Sequence, residues 1–125
     1  DHEAGQMKYV NCGHNPPILF TESGFQALEE GTTILGIFED LPFLNVGTVT
    51  GLKDFNFFCY TDGLTETFNA EGEEYGSERL MEALSDMTNK SLAGIHETVI
   101  KSLEDFKGAE SYRDDITMLS CKVIS

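Results

Sequence analysis

The sequence predicts an α+β fold in which antiparallel sheets come first and two consecutive helices precede the last strand. Three observations indicate this class. Short apolar runs separated by turn residues fill the first half of the chain. Apolar residues then recur with helical spacing over 78–87 and 92–106. A second β-type run over 116–124 follows those helices, so strands and helices are segregated rather than alternating.

The first strands are predicted from alternating polarity and from turn residues. Residues 7–12 alternate between the two faces of a strand. Asn15-Pro16-Pro17 turns the chain into a strand over 18–20. Glu22-Ser23-Gly24 is typical of a hairpin turn, which predicts a partner strand over 25–28.

Three further strands are expected in the middle of the chain. Residues 32–37 form a short apolar stretch, and residues 43–50 and 55–61 resemble an antiparallel pair. The second member of this pair contains the most apolar segment of the chain, Phe55-Asn56-Phe57-Phe58-Cys59-Tyr60. We therefore expect it to be the central strand.

Each helix has a serine before it that could cap its first turn. Ser77 precedes the helix predicted over 78–87, and Ser91 precedes the second helix. Gly108 supplies a C-terminal stop for the second helix. The apolar stripe of the first helix comprises Leu80, Ala83, Leu84 and Met87. The inward face predicted for the second comprises Leu92, Ile95, Val99, Leu103 and Phe106.

Length and charge limit the classes of function. The chain has 125 residues, 40% of them hydrophobic, which suits one packed domain over 1–125 and excludes general disorder. Its 22 acidic and eight basic residues leave a net charge of −14. This charge repels nucleic-acid phosphates and anionic lipid, so we expect neither as a partner.

The location is predicted from the cysteines and from apolar run lengths. Three cysteines cannot all pair, and their spacing contains no CxxC, which suits reduced thiols. No apolar stretch approaches the roughly 20 residues of a membrane span. The polar first residues do not form a signal peptide. A cytoplasmic protein is the resulting expectation.

Two pairs of residues are the candidates for chemistry. Asp62-Gly63 follows the most apolar strand directly, and Asp114-Asp115 precedes the last strand. If those strands are antiparallel neighbours, Asp62 and Asp114 meet at one edge of the sheet. Converging carboxylates select hard cations such as Mg²⁺ or Mn²⁺. An ordinary Asp-Gly turn and a solvated acidic loop are the alternative interpretation, and spacing alone favours it.

No side chain has the sequence context of a catalytic nucleophile. The chain contains neither a Gly-x-Ser-x-Gly elbow nor a glycine-rich phosphate loop. His14 lies in a turn without Cys or His companions and is interpreted as structural. Arg113 is the better placed of two arginines for binding a phosphate, although it could equally neutralise Asp114 and Asp115.

Five segments, taken in order, resemble the SpoIIE-like bacterial branch of the metal-dependent protein phosphatases (PPM, protein phosphatase 2C-like). They are Tyr9-Val10-Asn11-Cys12-Gly13-His14-Asn15-Pro16-Pro17, Leu35-Gly36, Tyr60-Thr61-Asp62-Gly63-Leu64-Thr65-Glu66, Gly72-Glu73-Glu74-Tyr75-Gly76 with Arg79-Leu80, and Asp114-Asp115-Ile116-Thr117. Each segment is short, but their order and spacing are specific. The resemblance covers nearly the whole chain and outweighs the turn-and-loop interpretation of the aspartates.

The resemblance implies an αββα sandwich and hydrolysis of phosphoserine or phosphothreonine by a metal-activated water at a binuclear Mn²⁺/Mg²⁺ site. Asp62 and Asp114 match the metal aspartates of the family, and Gly63 and Asp115 are weaker candidates for the same site. Arg113, chosen for its position next to Asp114 and not from the resemblance, is the candidate phosphate-binding residue. By analogy with the branch, the substrate is a phosphorylated bacterial regulator, an anti-sigma antagonist of the STAS type.

One departure from the family pattern lowers the expected activity. The family's early metal motif, an aspartate followed by a Gly-His-Gly turn, is absent, and Gly13-His14 is not its equivalent. The chain thus resembles the C-terminal part of a phosphatase domain. We expect a weak metal site, poor catalysis, and self-association through an exposed sheet edge and apolar face. A non-catalytic phosphatase-like interaction module is the alternative function, and a generic acidic α+β scaffold is the third.

Overall fold

The computed structural model describes residues 3–86 and 90–124, which divide into two compact units. The described part of the first unit comprises residues 3–59 and 121–124, and the second unit is Tyr60–Ser120. Strands dominate the first unit and helices the second, which confirms the α+β class. No helix within the described ranges is long and apolar enough to cross a membrane.

The part of the chain that the structure describes contains eight strands, most of them short. Their bounds are β1 Met7–Tyr9, β2 Asn11–Cys12, β3 Ile18–Thr21, β4 Gly24–Ala27, β5 Gly31–Thr32, β6 Gly47–Val49, β7 Phe55–Tyr60 and β8 Met118–Val123. The principal sheet has the strand order β4-β3-β7-β8. The predicted central strand β7 is therefore an interior strand, as expected from its apolar sequence.

The pairings of the other strands correct two sequence predictions. Strand β6 pairs antiparallel with β1, opposing Lys8 to Thr48, whereas the sequence suggested a partner in β7. Strand β2 pairs with β5 in parallel, which is an exception to the antiparallel expectation. The hairpin of β3 and β4 is confirmed, with Thr21 opposite Gly24.

The core of the first unit is centred on β3 and β7. Ile18, Leu19 and Phe20 are buried on β3, and Phe58 is fully buried on the neighbouring strand. Three consecutive buried residues on β3 indicate that both of its faces are covered. Strand β4, in contrast, is exposed along all four residues and forms one edge of the principal sheet.

Residues 34–46, called here the apolar segment, contain no strand although strands were predicted over 32–37 and 43–50. Of those predicted ranges, only Thr32, in β5, and Gly47–Val49, which is β6, form strand. Eight large apolar side chains of the segment are between 45% and 61% exposed. They are Ile34, Leu35, Ile37, Phe38, Leu41, Phe43, Leu44 and Val46. Exposure on this scale is typical of an interaction surface.

Within residues 60–86 and 90–120 of the second unit, the helices are α1 Asp62–Thr65, α2 Gly76–Ala83 and α3 Leu92–Lys107. The Ser91 hydroxyl caps α3 by accepting a hydrogen bond from the Gly94 N–H at 3.1 Å, as predicted. Gly108 ends α3 with a φ of 58°. Ser77 does not cap α2, because that helix begins one residue before it and its N-cap is Tyr75.

A tight apolar core joins the three helices of the second unit. Its buried members are Leu64, Tyr75, Leu80, Leu84, Ile95, Val99 and Leu103. Leu92 was predicted to face inward but is 40% exposed at the first position of α3, whereas Ile95, three residues later, is buried. Met87, which was predicted to extend the apolar stripe of α2, lies outside the described residues.

Candidate active site

Asp62 is placed by the end of β7, an interior strand of the principal sheet. Strand β7 alternates between half-buried and buried residues up to Tyr60. Thr61 is extended and forms the N-cap of α1, so the chain turns directly from strand to helix. Asp62 is consequently the first residue of α1 and is exposed.

Hydrogen bonds bring the segment before β8 to this strand end. The Thr61 N–H donates to the Thr117 carbonyl at 3.1 Å. In return, the Thr117 N–H donates to the Thr61 hydroxyl oxygen at 3.1 Å. The end of β7 thus meets the beginning of β8, as in antiparallel neighbours. This is the arrangement that the sequence argument required for Asp62 and Asp114 to share an edge.

Gly63 allows the two aspartate-bearing segments to touch. A Cβ at position 63 would overlap the carbonyl oxygen of Asp115 and lie 3.5 Å from the carbonyl carbon of Asp114. Gly63 itself is buried within α1. Its role is therefore close approach of two backbones, rather than the sharp turn suggested by the Asp-Gly sequence.

Three exposed carboxyl groups lie on these touching backbones: those of Asp62, Asp114 and Asp115. The Asp115 N–H donates to Oδ1 of Asp114 at 2.7 Å, which holds that side chain against its own loop. None of the three forms an ion pair with any residue in the described ranges. Burial raises the pKa of Tyr60, and the negative charge of Asp62 raises it further.

The ligand atoms at this edge are of the type that Mg²⁺ or Mn²⁺ prefers, but they are too few to complete the coordination of the ion. Carboxylate oxygens are the ligands that these hard ions prefer. However, residues 3–86 and 90–124 contain no group of three His, Cys, Asp or Glu side chains placed to hold an ion. Asp62 and Asp114 would therefore supply part of a coordination shell that takes about six oxygens.

Arg113 lies beside the acidic edge, on the same loop as Asp114. Its guanidinium carbon is 4.2 Å from the centroid of the Phe68 ring. Phe68 was not identified from the sequence as a site residue. It follows the Tyr60–Glu66 motif by only two positions, which is the only signal that pointed to it.

His14 belongs to a structural turn of the first unit, as predicted. The Asn11 side chain accepts a hydrogen bond from the His14 N–H at 2.8 Å and donates to the His14 carbonyl at 2.9 Å. Gly13 has a φ of 78°, which favours glycine at this turn. The motif around Asn11 therefore stabilises a loop of the first unit.

Comparison with known proteins identifies the family. Residues 1–124 match the family described as stage II sporulation protein E (SpoIIE). The phosphoserine phosphatase RsbP of Bacillus subtilis is 31% identical over 111 residues, which is 88% of this chain and 26% of RsbP. The protein IcfG of Synechocystis is 27% identical over 124 residues, 96% of this chain and 19% of IcfG. The chain thus spans about a quarter or less of these curated relatives.

Two solved structures share the fold. The SiaA-PP2C domain of Pseudomonas aeruginosa superposes with a TM-score of 0.79 at 24% identity, covering 98% of this chain and 48% of that one. The structure of the RsbU and RsbW domains of Rv1364c from Mycobacterium tuberculosis gives a TM-score of 0.64 at 23% identity, covering 94% and 33%. Taken with the match along almost the whole sequence, these findings show that the chain belongs to the SpoIIE-like branch of the metal-dependent protein phosphatase family.

Proposed function

We propose that this chain takes part in metal-dependent hydrolysis of phosphoserine or phosphothreonine on a regulatory protein. The observation that supports the proposal best is the packing of Gly63 against Asp115, which sets the start of α1, with Asp62, beside the loop that carries Asp114. The similarity to RsbP, a phosphoserine phosphatase, supports the same reaction.

Each residue of the edge has a proposed role. Asp62 and Asp114 hold the cation through carboxylate oxygens, and Gly63 keeps the start of α1 in contact with the loop of Asp114. Asp115 orients Asp114 through its N–H, which donates to Oδ1 at 2.7 Å. A bound Mn²⁺ or Mg²⁺, binuclear in the complete domain, would lower the pKa of water and neutralise phosphoryl oxygens. This chemistry requires no nucleophile from the protein.

The substrate proposed is a phosphorylated regulator of the STAS type in the bacterial cytoplasm. The relatives that support it are RsbP and a protein with RsbU and RsbW domains. A protein substrate also suits the net charge of −14, since this charge disfavours nucleic acid. Because Asp62 and Asp114 would supply only part of a metal shell, we expect the isolated 125 residues to be weakly active.

Hydrolysis of a phosphoserine peptide by the chain tests the proposal, with Mn²⁺, with Mg²⁺ and with neither ion. Asp62→Asn and Asp114→Asn should each lower metal-dependent turnover by about tenfold or more, because ligand geometry controls such sites. Asp40→Asn is the matched control, since Asp40 is exposed and lies in the apolar segment. It should stay within about twofold of the parent chain.

Titration calorimetry with Mn²⁺ on the same variants measures metal binding separately from turnover. Loss of the Mn²⁺ signal on Asp62→Asn, with retention on Asp40→Asn, supports the proposed ligands. Turnover that does not need a divalent ion would contradict the proposal. A folded chain that neither binds Mn²⁺ nor hydrolyses the peptide would contradict catalysis by this chain and favour the alternative below.

The second candidate is a non-catalytic, phosphatase-like interaction module. Two observations favour it: the described residues hold no three-ligand metal group, and the apolar segment exposes eight large side chains. Such a surface, together with the exposed edge strand β4, would also support self-association.

Sedimentation velocity over a concentration series tests whether the chain self-associates. Ile37→Glu should shift the chain toward monomer, whereas Ile124→Glu, at a site that is also exposed, should not.

A further inference from the structure

The two arginines of the chain have similar ring contacts but different surroundings. The guanidinium carbon of Arg113 lies 4.2 Å from the Phe68 centroid, and that of Arg79 lies 4.6 Å from the Phe106 centroid. Both contacts have the geometry of a cation–π interaction, which fixes the plane of the guanidinium group.

The donors of Arg79 are occupied within the protein. Its Nη1 donates to the Glu74 carbonyl at 2.7 Å and to the Tyr75 carbonyl at 3.1 Å. Its Nη2 donates to Oε2 of Glu73 at 3.3 Å. Arg79 therefore ties the loop before α2 to the helix, and its donors have little capacity left for a ligand.

Arg113 makes no hydrogen bond or ion pair with any residue in the described ranges, although Asp114 and Asp115 follow it directly. The structure thus gives no support to neutralisation of these carboxylates by Arg113. The Phe68 ring occupies one face of the guanidinium and leaves its N–H edges available. A planar fork of N–H donors is suited to bidentate contact with a phosphate group.

Phe68 and Arg113 both lie in segments that hydrogen bonds connect to the rest of the second unit. Phe68 lies in a bridge with Glu74, and the preceding Thr67 donates its hydroxyl to the Gly63 carbonyl at 3.0 Å. On the other side, the Tyr112 hydroxyl donates to Glu104 at 2.6 Å. The stack therefore connects the loop after Asp62 with the loop that carries Asp114.

We propose that Arg113 is the phosphate-binding residue of this site and that Phe68 is a positioning residue that holds its guanidinium in place. The ligand is a phosphomonoester, specifically phosphoserine within a peptide. This inference rests on the proposed function, because it assigns the phosphate to the edge formed by Asp62 and Asp114. In a chain of net charge −14, one guanidinium with available donors provides a local site for an anion.

The test is an NMR titration that follows the two arginine Nε–H signals, with Mg²⁺ present. One series uses a phosphoserine peptide and a parallel series uses inorganic phosphate. The Arg113→Lys spectrum assigns the signals, because only one arginine then remains. The peptide should shift the Arg113 signal until saturation and leave the Arg79 signal in place, since the donors of Arg79 are already occupied.

Variants of both partners measure their contributions. Arg113→Lys should weaken peptide binding about tenfold, because lysine keeps the charge but loses the planar fork. Phe68→Leu should weaken binding about threefold, whereas Phe68→Tyr retains the ring and should restore it. In peptide hydrolysis, Phe68→Leu should raise KM and leave kcat nearly unchanged. Lys53→Gln removes another exposed cation, in the first unit, and should change none of these values.

The outcomes separate this inference from the proposed function. Metal-dependent hydrolysis without a shift of the Arg113 signal overturns the phosphate role and leaves the proposed function standing. A saturable Arg113 shift in a chain that never hydrolyses the peptide supports phosphate recognition and counts against hydrolysis. If inorganic phosphate shifts the Arg113 signal and the phosphoserine peptide does not, the site binds an adventitious ion only, and the inference is overturned. If neither ligand has an effect and no hydrolysis occurs, both proposals fail.

Discussion

Gly63 lies against Asp115 so closely that any side chain at position 63 would collide with the carbonyl oxygen of Asp115. This contact joins the start of α1 to the loop before β8. It also sets the separation between the backbones that carry Asp62 and Asp114. A glycine in a short helix would ordinarily reduce stability, so its presence here is explained by the close approach that it permits.

Gly63→Ala should destabilise the fold and move the start of α1, with Asp62, away from the loop of Asp114. Relief of the collision requires a backbone shift, for which we expect a loss of about 1–3 kcal/mol in the free energy of unfolding. Gly94→Ala is the control, since a Cβ there would lie 3.2 Å from the Ser91 hydroxyl oxygen and meet no backbone atom. Urea unfolding measures both variants. Equal stability of Gly63→Ala and the parent chain would show that the loops yield without cost.

The caps of the two longer helices provide a second prediction. Ser91→Ala should cost about 1 kcal/mol in the free energy of unfolding, because the Gly94 N–H loses its acceptor. Ser77→Ala should be close to neutral, as Ser77 is exposed and the N-cap of α2 is Tyr75. Thermal or urea unfolding of the pair checks this. A larger loss for Ser77→Ala than for Ser91→Ala would contradict the assigned helix starts.

The core of the second unit should respond strongly to truncation on α3. Leu103 is fully buried, so Leu103→Ala removes apolar contacts and leaves a cavity, at a cost of about 2–5 kcal/mol. Leu119→Ala makes the same chemical change at a side chain that is 62% exposed and should cost less than about 0.5 kcal/mol. Denaturant midpoints of the two variants test the difference. Similar midpoints would mean that α3 is not packed as described.

Tyr112 gives a prediction for alkaline pH. Burial and the hydrogen bond to Glu104 raise the pKa of Tyr112 to about 12, above the value of about 10 expected in the unfolded chain. The folded state therefore holds this proton more tightly. The resulting stabilisation is fully present below pH ~10 and is lost as the pH rises through about 12.

Comparison of the parent chain with Tyr112→Phe measures this effect. The difference in unfolding free energy should be less than about 1 kcal/mol, because Tyr112 is more than one-third exposed and solvent screens the interaction. It should shrink between pH ~10 and ~12. Absorbance of the phenolate should show a late-titrating tyrosine that Tyr112→Phe removes. A difference that grows with pH would contradict the assignment.

The sequence predicted helix ends and the hairpin well, because these features depend on interactions between residues a few positions apart. Ser91 and Gly108 bound α3 as expected, because a cap and a stop depend on residues a few positions away. The β3–β4 hairpin followed from its turn for the same reason. Ser77 failed as a cap although it has the same residue type as Ser91. Helix α2 is assigned from Gly76, one residue before Ser77, and its N-cap Tyr75 has no side-chain capping hydrogen bond.

Long-range pairings were less predictable. Strand β6 pairs with β1 and not with the nearby β7, and the apolar segment between β5 and β6 forms no strand. Apolar residues are equally compatible with a buried strand and with an exposed interaction surface. Strand partners depend on the whole sheet, which no local pattern encodes.

The sequence by itself determined the α+β class, the central position of β7, the limits of α3, and the aspartates as candidates for the site. These follow from hydrophobic periodicity, turn chemistry and short motifs, all of which act over a few residues. Only the tertiary structure decided that Gly63 touches Asp115 and that Arg113 stacks on Phe68. Those contacts join residues that lie dozens of positions apart. Their formation depends on how strands and helices pack, which is a property of the folded chain as a whole.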